Sequence, residues 1–263
     1  MSYVSPPDVA EDMLEQGTSK AELSTFQQLL RSTFAVFILG GATAMAIQAT
    51  EETGIGLVGA LVFPLGLTVV VLLSMELLTG NFALVPLAVL EGRAKLSGLL
   101  RSFGWVLAGH VIGGLLCAAL FAALLTEFWT IDSGLLLNGF IESAEENTLR
   151  YQQMGAVAGI GLALLSGILC NWLVVLGVVM GMTSTSTTGK IMALWLPIAA
   201  FFYLGLEHAV VNLFVIPAGM FMGADVSIAD WWIWNQIPVL IGNLIGGLVL
   251  LGLPVYLAYR QKQ

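Results

Sequence analysis

The 263 residues are 58% hydrophobic and only 10% charged, with a mean hydropathy of +0.92. A water-soluble domain carries about 25% charged residues to cover its surface, so this composition excludes one and turns much of the exterior toward lipid. The net charge of −8, with no basic cluster, also excludes a nucleic-acid partner.

Residues 1–26 read as an acidic tail. Asp8, Glu11, Asp12 and Glu15 give it the reverse of the basic start of a secretory signal, and it is expected as a disordered tail or a short surface helix. A bilayer-crossing helix needs about 20 apolar residues. Such stretches fall near residues 27–48, 55–90, 97–126, 153–182, 190–223 and 231–259, which makes residues 27–260 one transmembrane channel domain of six spans. The second and fifth are too long for one plain helix and are interrupted by polar residues and proline. Each is expected as a helix, a break at membrane depth and a second half-helix. Cys117 and Cys170 lie alone in apolar runs and read as buried free thiols.

Basic residues set the orientation. With six spans, Lys20, Arg31, Arg93, Lys95, Arg101, Lys190, Arg260 and Lys262 fall on one side. Arg150 and most loop acids (Glu51, Glu52, Asp132, Glu142, Glu145, Glu146, Asp225 and Asp230) fall on the other. Both termini are therefore expected in the cytoplasm.

The halves repeat. Glu76 is followed by Asn81 and Pro86, and Glu207 by Asn212 and Pro217, with identical spacing. Gly109-His-Val-Ile-Gly-Gly114 in the third span is matched by Gly242-Asn-Leu-Ile-Gly-Gly247 in the sixth. Three spans per half invert the second half against the first, with repeat one near residues 27–126 and repeat two near 153–260. Inverted repeats with paired broken helices place a polar site at the bilayer midplane. The expected fold is thus all-α with two inverted three-helix repeats, with breaks running from Glu76 to Pro86 and from Glu207 to Pro217.

Ionisable groups at membrane depth face a pore or a partner. Glu76 and Glu207 precede the breaks and are expected to accept hydrogen bonds from the freed backbone N–H groups, as a capping carboxylate does. Thr79 and His208 nearby keep a proton relay through the same carboxylates as the alternative. His208, beside an acid at a break, is expected to line the pore, and its ordinary pKa of about 6.5 suits proton exchange. His110, in a glycine-rich stretch, reads as structural. Phe63, Leu67 and Phe201 read, from composition, as lipid-facing or core residues.

Glu207-His-Ala-Val-Val-Asn212 with Pro217, Gly-Ile-Leu-Cys-Asn171-Trp, Glu76-Leu-Leu-Thr-Gly-Asn81 and Ile-Gly-Asn-Leu-Ile-Gly-Gly247 resemble the motifs of the formate/nitrite transporter family. The resemblance covers nearly the whole chain after the acidic tail. It implies a homopentamer in the cell membrane whose protomers each have an aquaporin-like fold and hold a pore for formate first, nitrite second, or their neutral acids. By matching positions it implies Thr79 on a loop facing His208, Asn171 lining the pore, and Phe63, Leu67 and Phe201 as apolar constrictions on either side. Glu207, Asn212, Glu76 and Asn81 would form the helix breaks. The family usually has a fourth-span lysine where this chain has Gly155, which leaves Glu207 without that cation; Arg150 and Arg31 are the candidate substitutes. The resemblance also leaves room for a divergent member passing hydrosulfide, acetate, lactate or a neutral solute. A membrane enzyme using Glu207 and His208 lacks a nucleophile pair, metal cluster or cofactor motif, and no cofactor or metal is expected. A structural scaffold would leave the paired breaks without a purpose.

Overall fold

The computed structural model describes residues 3–260, which are helical apart from loops and one isolated backbone bridge between Tyr3 and Ser184. Lys262, expected beside the other basic residues, lies outside the described residues. Helix α1 (Pro6–Glu22) occupies most of the acidic tail. Its apolar residues Val9, Ala10, Met13 and Leu14 recur at helical spacing, so one face is buried. That face packs with Leu84 and Leu87 of a half-helix below it. The disordered alternative for this segment is therefore corrected: the stripe is apolar enough to dock.

Helix α2 (Thr25–Thr53) starts at a capping box, in which Ser24 and Gln27 satisfy each other's backbone N–H groups. The second apolar stretch then divides into α3 (Gly56–Val62), α4 (Pro64–Leu72) and α5 (Leu78–Leu90). Helices α6 (Leu96–Leu125), α7 (Leu135–Glu146), α8 (Leu149–Gln153) and α9 (Ala156–Met182) follow. The fifth stretch divides into α10 (Thr187–Tyr203) and α11 (Ala209–Met222). A final helix, α12 (Ile228–Tyr259), contains two π-helical turns. By length and apolarity α2, α6, α9 and α12 are each able to cross a membrane.

The breaks lie at residues 73–77 and 204–208, earlier than the Glu-to-Pro intervals suggest. Ser74 and Gly205, at matching positions, adopt left-handed φ values of 51° and 62° and end the preceding half-helices. Pro86 and Pro217 instead sit inside α5 and α11. Proline is tolerated in membrane helices when neighbouring groups satisfy the freed backbone, so these prolines do not mark the breaks.

The second half repeats the first in its packing as well. Helix α7 buries Leu137 and Phe140, and Phe140 meets Phe214 of α11 edge-on at 5.4 Å, as α1 packs on α5. The repeat therefore includes an amphipathic helix before each set of spans. The glycine motifs lie where helices touch. A methyl at Gly109 would overlap the Ser32 hydroxyl, and one at Gly242 would overlap the Leu164 carbonyl oxygen. Small residues let membrane helices approach this closely.

Outside the apolar spans, Arg93 pairs with both carboxylate oxygens of Glu11. The hydrogen bond from Arg93 holds the Glu11 carboxyl below its ordinary value. A lowered carboxylate contributes stability above its unfolded pKa, and that contribution is lost as pH falls through the folded value. Both partners are solvated, so it is worth less than about 1 kcal/mol.

Two outcomes are expected in detergent melting curves. Gly242→Ala lowers the thermal midpoint by the equivalent of about 1–3 kcal/mol. Glu11→Gln lowers it slightly at neutral pH, and the two curves converge once the pH falls below the carboxylate range.

Candidate functional site: a histidine chamber between two helix breaks

Each break is followed by a buried residue whose backbone amide opens the next half-helix. The N–H of Leu78, which opens α5, donates to His110 Nε2 at 3.0 Å. The N–H of Ala209, which opens α11, donates to Asn243 Oδ1 at 2.9 Å. His110 and Asn243 each follow the first glycine of the matched motifs, so one structural device appears twice with different side chains. Because His110 Nε2 accepts, its proton sits on Nδ1, 3.0 Å from the Ser32 carbonyl oxygen. Asn243 likewise donates to the Gly167 carbonyl at 2.8 Å and to the Glu207 carbonyl at 3.1 Å. Ser166 accepts the Glu207 N–H at 3.0 Å.

The second break carries the histidine of interest. His208 Nδ1 accepts the Val211 N–H at 3.2 Å, so this nitrogen carries no proton and Nε2 does. Nε2 lies 3.2 Å from Thr79 Oγ1 of the first break. Phe201 stacks on the imidazole, with centroids 5.7 Å apart. His208, Phe63, Leu67 and Phe201, together with Leu39 and Val174, enclose a cavity of about 10 Å³. That is room for about one water. Phe63 touches Phe201 edge-on at 5.5 Å and stacks on Phe202 at 4.4 Å. All three expected constriction residues are buried, 1–3% exposed, which corrects the lipid-facing alternative for them. Asn171 does not line this cavity. Its amide donates to the Thr79 carbonyl at 3.0 Å and the Asn243 carbonyl at 2.6 Å, bracing both breaks from behind.

Leu67 also walls a second cavity of about 610 Å³ on the face that carries the N-terminal helix. Lys20, Arg31 and Lys190 line it, with Asp12 and Glu76. Of the other basic residues assigned to that side, Arg101 donates to the Ala21 carbonyl, and Arg260 donates to Tyr256, which bonds Glu91. At the other end, Gln152 donates to Asp230, and Glu145 accepts the Asp225 N–H.

The two glutamates differ from expectation. Neither accepts the freed N–H of Leu78 or Ala209, because His110 and Asn243 already do. Each carboxylate instead takes side-chain donors. Glu76 accepts Lys20 Nζ at 3.0 Å and Asn81 Nδ2 at 2.9 Å, and Asn81 also donates to Ser102 at 3.1 Å. Glu207 accepts Tyr151 OH at 2.9 Å, Asn212 Nδ2 at 2.6 Å and Asn235 Nδ2 at 3.0 Å. Arg150 lies over the Tyr151 ring, 5.8 Å from its centroid, and Arg31 lines the far vestibule; no ion pair joins either to Glu207 among the described residues. Sequence reading missed Lys20, Tyr151, Ser102, Asn235 and Asn243 as partners. A signal existed for two of them, since Ser102 and Asn235 precede Gly109 and Gly242 by the same interval. Among the described residues no cluster of His, Cys, Asp or Glu is arranged to hold a metal ion.

An all-helical, lipid-facing chain with twofold repeated helix breaks around a buried polar site is a membrane transport protein. This one belongs to the formate/nitrite transporter family, whose family model, "Formate/nitrite transporter", matches residues 7–257. It is 32% identical to a "Probable formate transporter" of Methanothermobacter thermautotrophicus, covering 99% of each chain. It is 31% identical to the "Formate channel BtFdhC" of Bacillus thuringiensis, over 100% of this chain and 98% of that one. A solved "Pentameric formate channel with formate bound" superposes with a TM-score of 0.70 at 26% identity, over 89% of this chain and 97% of that chain. An "FNT family ion channel" superposes with a TM-score of 0.82 at 21% identity, over 95% and 98%.

Removing either amide acceptor leaves a buried N–H without a partner, which costs about 1–3 kcal/mol. His110→Leu and Asn243→Leu are each expected to lower the thermal midpoint accordingly. His110→Leu places its effect on stability, since His110 lies outside the chamber.

Proposed function

We propose that this chain is a pore for small monovalent anions that cross as their weak acids, formate first and nitrite second, passively or linked to a proton. The observation that carries the reading is the imidazole N–H of His208, held beside Thr79 inside an apolar chamber. A bare anion pays a large desolvation cost in such a chamber, while a neutral acid does not. Passage therefore favours the form that has taken a proton from the aqueous vestibule. Within the chamber the substrate oxygens accept from His208 Nε2–H and from the Thr79 hydroxyl, which replaces part of the hydration left behind. Leu67 on one side, and the contact between Phe63 and Phe201, keep water and larger solutes out. In this reading His208 works as a neutral donor, because the Val211 N–H occupies its other nitrogen.

The same proposal places six spans in two inverted halves across the cell membrane, with the basic face and both termini in the cytoplasm. Five protomers would assemble around a central axis, each with its own pore; the pentameric neighbour supports this arrangement. Residues 27–260 form the channel domain, and α1 walls the vestibule at the basic face.

The test is formate uptake into liposomes carrying the purified protein. Flux well above protein-free liposomes, rising at mildly acidic pH, is expected; flux equal to the controls for both formate and nitrite at every pH sinks the reading. His208→Asn keeps an acceptor for Val211 and an amide donor toward Thr79, so it is expected to retain flux with a similar pH profile. His208→Phe loses both groups and is expected to lower flux at least about tenfold, the loss of roughly one polar contact. Loss of the acid activation in His208→Asn alone would instead make the histidine a proton carrier.

A further inference from the structure

The internal repeat pairs landmarks of one half with landmarks of the other, and the group that meets each buried glutamate differs in charge between them. His110 donates to the Ser32 carbonyl, and Asn243 to the Gly167 carbonyl, so Ser32 and Gly167 correspond. Counting back by the same interval, Lys20 corresponds to Gly155. Lys20 reaches Glu76 with an ammonium at 3.0 Å. Gly155 has no side chain, and its φ of 79° with ψ of 167° lies in a region that is essentially glycine-only. Glu207 is met instead by Tyr151, a turn earlier, whose hydroxyl lies 2.9 Å from Oε1. Both Glu207 and Tyr151 are 4% exposed, so this contact is shielded from water and the absence of a cation in it is not screened away.

We propose that Tyr151 is a positioning residue that sets the sidedness of anion capture. It holds Glu207 through a neutral hydroxyl where Lys20 holds Glu76 through an ammonium, so the N-terminal vestibule receives anions while, among the described residues, no cation pairs with the carboxylate on the opposite side. This rests on the anion-pore reading above. The charges on each side agree with it. Lys20, Arg31 and Lys190 line the vestibule against Asp12 and Glu76, leaving an excess of one positive charge. Lys190 and Arg31 have no carboxylate partner there among the described residues. On the opposite side Glu207 is buried against Tyr151, Asp230 accepts from Gln152 at the surface, and the exposed Arg150 lies over the Tyr151 ring. His208 adds no charge, since its Nδ1 accepts from Val211. Asn212, Asn235 and Asn243 add only dipoles.

A passive pore cannot turn this difference into net transport at equilibrium. The ratio Vmax/KM must be equal in both directions at zero potential, so the difference appears as a lower KM with a proportionally lower Vmax on the basic face.

The experiment measures formate flux into right-side-out and inside-out membrane vesicles, at equal pH and zero potential. One charge a few ångströms from a wet site changes affinity by about threefold to fivefold. The wild-type protein is expected to show a KM lower by at least that factor on the N-terminal face. Tyr151→Lys, whose side chain is of similar length, is expected to lower KM on the opposite face by about the same factor and leave the N-terminal face unchanged. Lys190→Gln, whose ammonium forms no ion pair among the described residues, is expected to raise KM about threefold on the N-terminal face only. Equal KM values on the two faces overturn the proposal, as does an unchanged opposite-face KM in a folded Tyr151→Lys protein. If Tyr151→Lys does not fold, an unchanged KM in Lys190→Gln overturns it. Formate flux with symmetric KM defeats this inference alone, whereas flux equal to protein-free vesicles on both faces defeats the anion pore and this inference together.

Discussion

Everything at the centre of this molecule depends on unpaired backbone at membrane depth. Two helices stop midway, and each restart at Leu78 or Ala209 leaves a buried backbone amide that needs a partner. The cost is met by side chains reaching in from the flanking spans: His110 from α6, Asn243 from α12, and Asn171 and Ser166 from α9. These helices approach closely enough to do so because Gly109 and Gly242 remove a methyl at the contact. Satisfying the breaks also fixes the site. The same bonds that cap α5 and α11 set Thr79 and His208 3.2 Å apart across the repeat boundary.

The repeat makes the fold symmetric and the chemistry unequal. One half opens α5 against a histidine and the other opens α11 against an asparagine, yet both do the same structural work. A histidine opens a half-helix only at the second break, where His208 caps its own helix through Nδ1 and turns Nε2–H toward Thr79. The carboxylates diverge in the same manner. Glu76 is neutralised by a cation carried on α1, a helix outside the spans, while Glu207 is embedded among a tyrosine and two asparagines. Burying a carboxylate without a cation is costly unless several donors converge on it. The π-helical turn at the start of α12 delivers Asn235 to that cluster.

Much of the fold was legible because its signals are local or repeated. Apolar runs of the right length, the two Glu-to-Pro spacings and the matched glycine motifs require only the chain itself. The site was legible in outline for the same reason: Thr79, His208, Phe63, Leu67 and Phe201 do converge. The details that failed are those set by direction and by distant contact. Glu76 and Glu207 lie beside the breaks, as spacing indicated, but their side chains point away from the amides they were expected to cap. The prolines looked like the breaks, yet Ser74 and Gly205 end the half-helices through left-handed backbone that composition does not announce.

The sequence by itself determined that this is a membrane protein of repeated halves with a polar centre, because lipid demands long apolar runs and tolerates few exceptions to them. Tertiary structure decided which exceptions meet. Lys20 lies 56 residues from Glu76, and Tyr151 lies 56 residues from Glu207. That coincidence of interval belongs to the repeat, but its chemistry does not. Whether a buried carboxylate faces an ammonium or a hydroxyl is fixed only when the amphipathic helix that carries Lys20 docks and the short helix before the fourth span brings Tyr151 against Glu207.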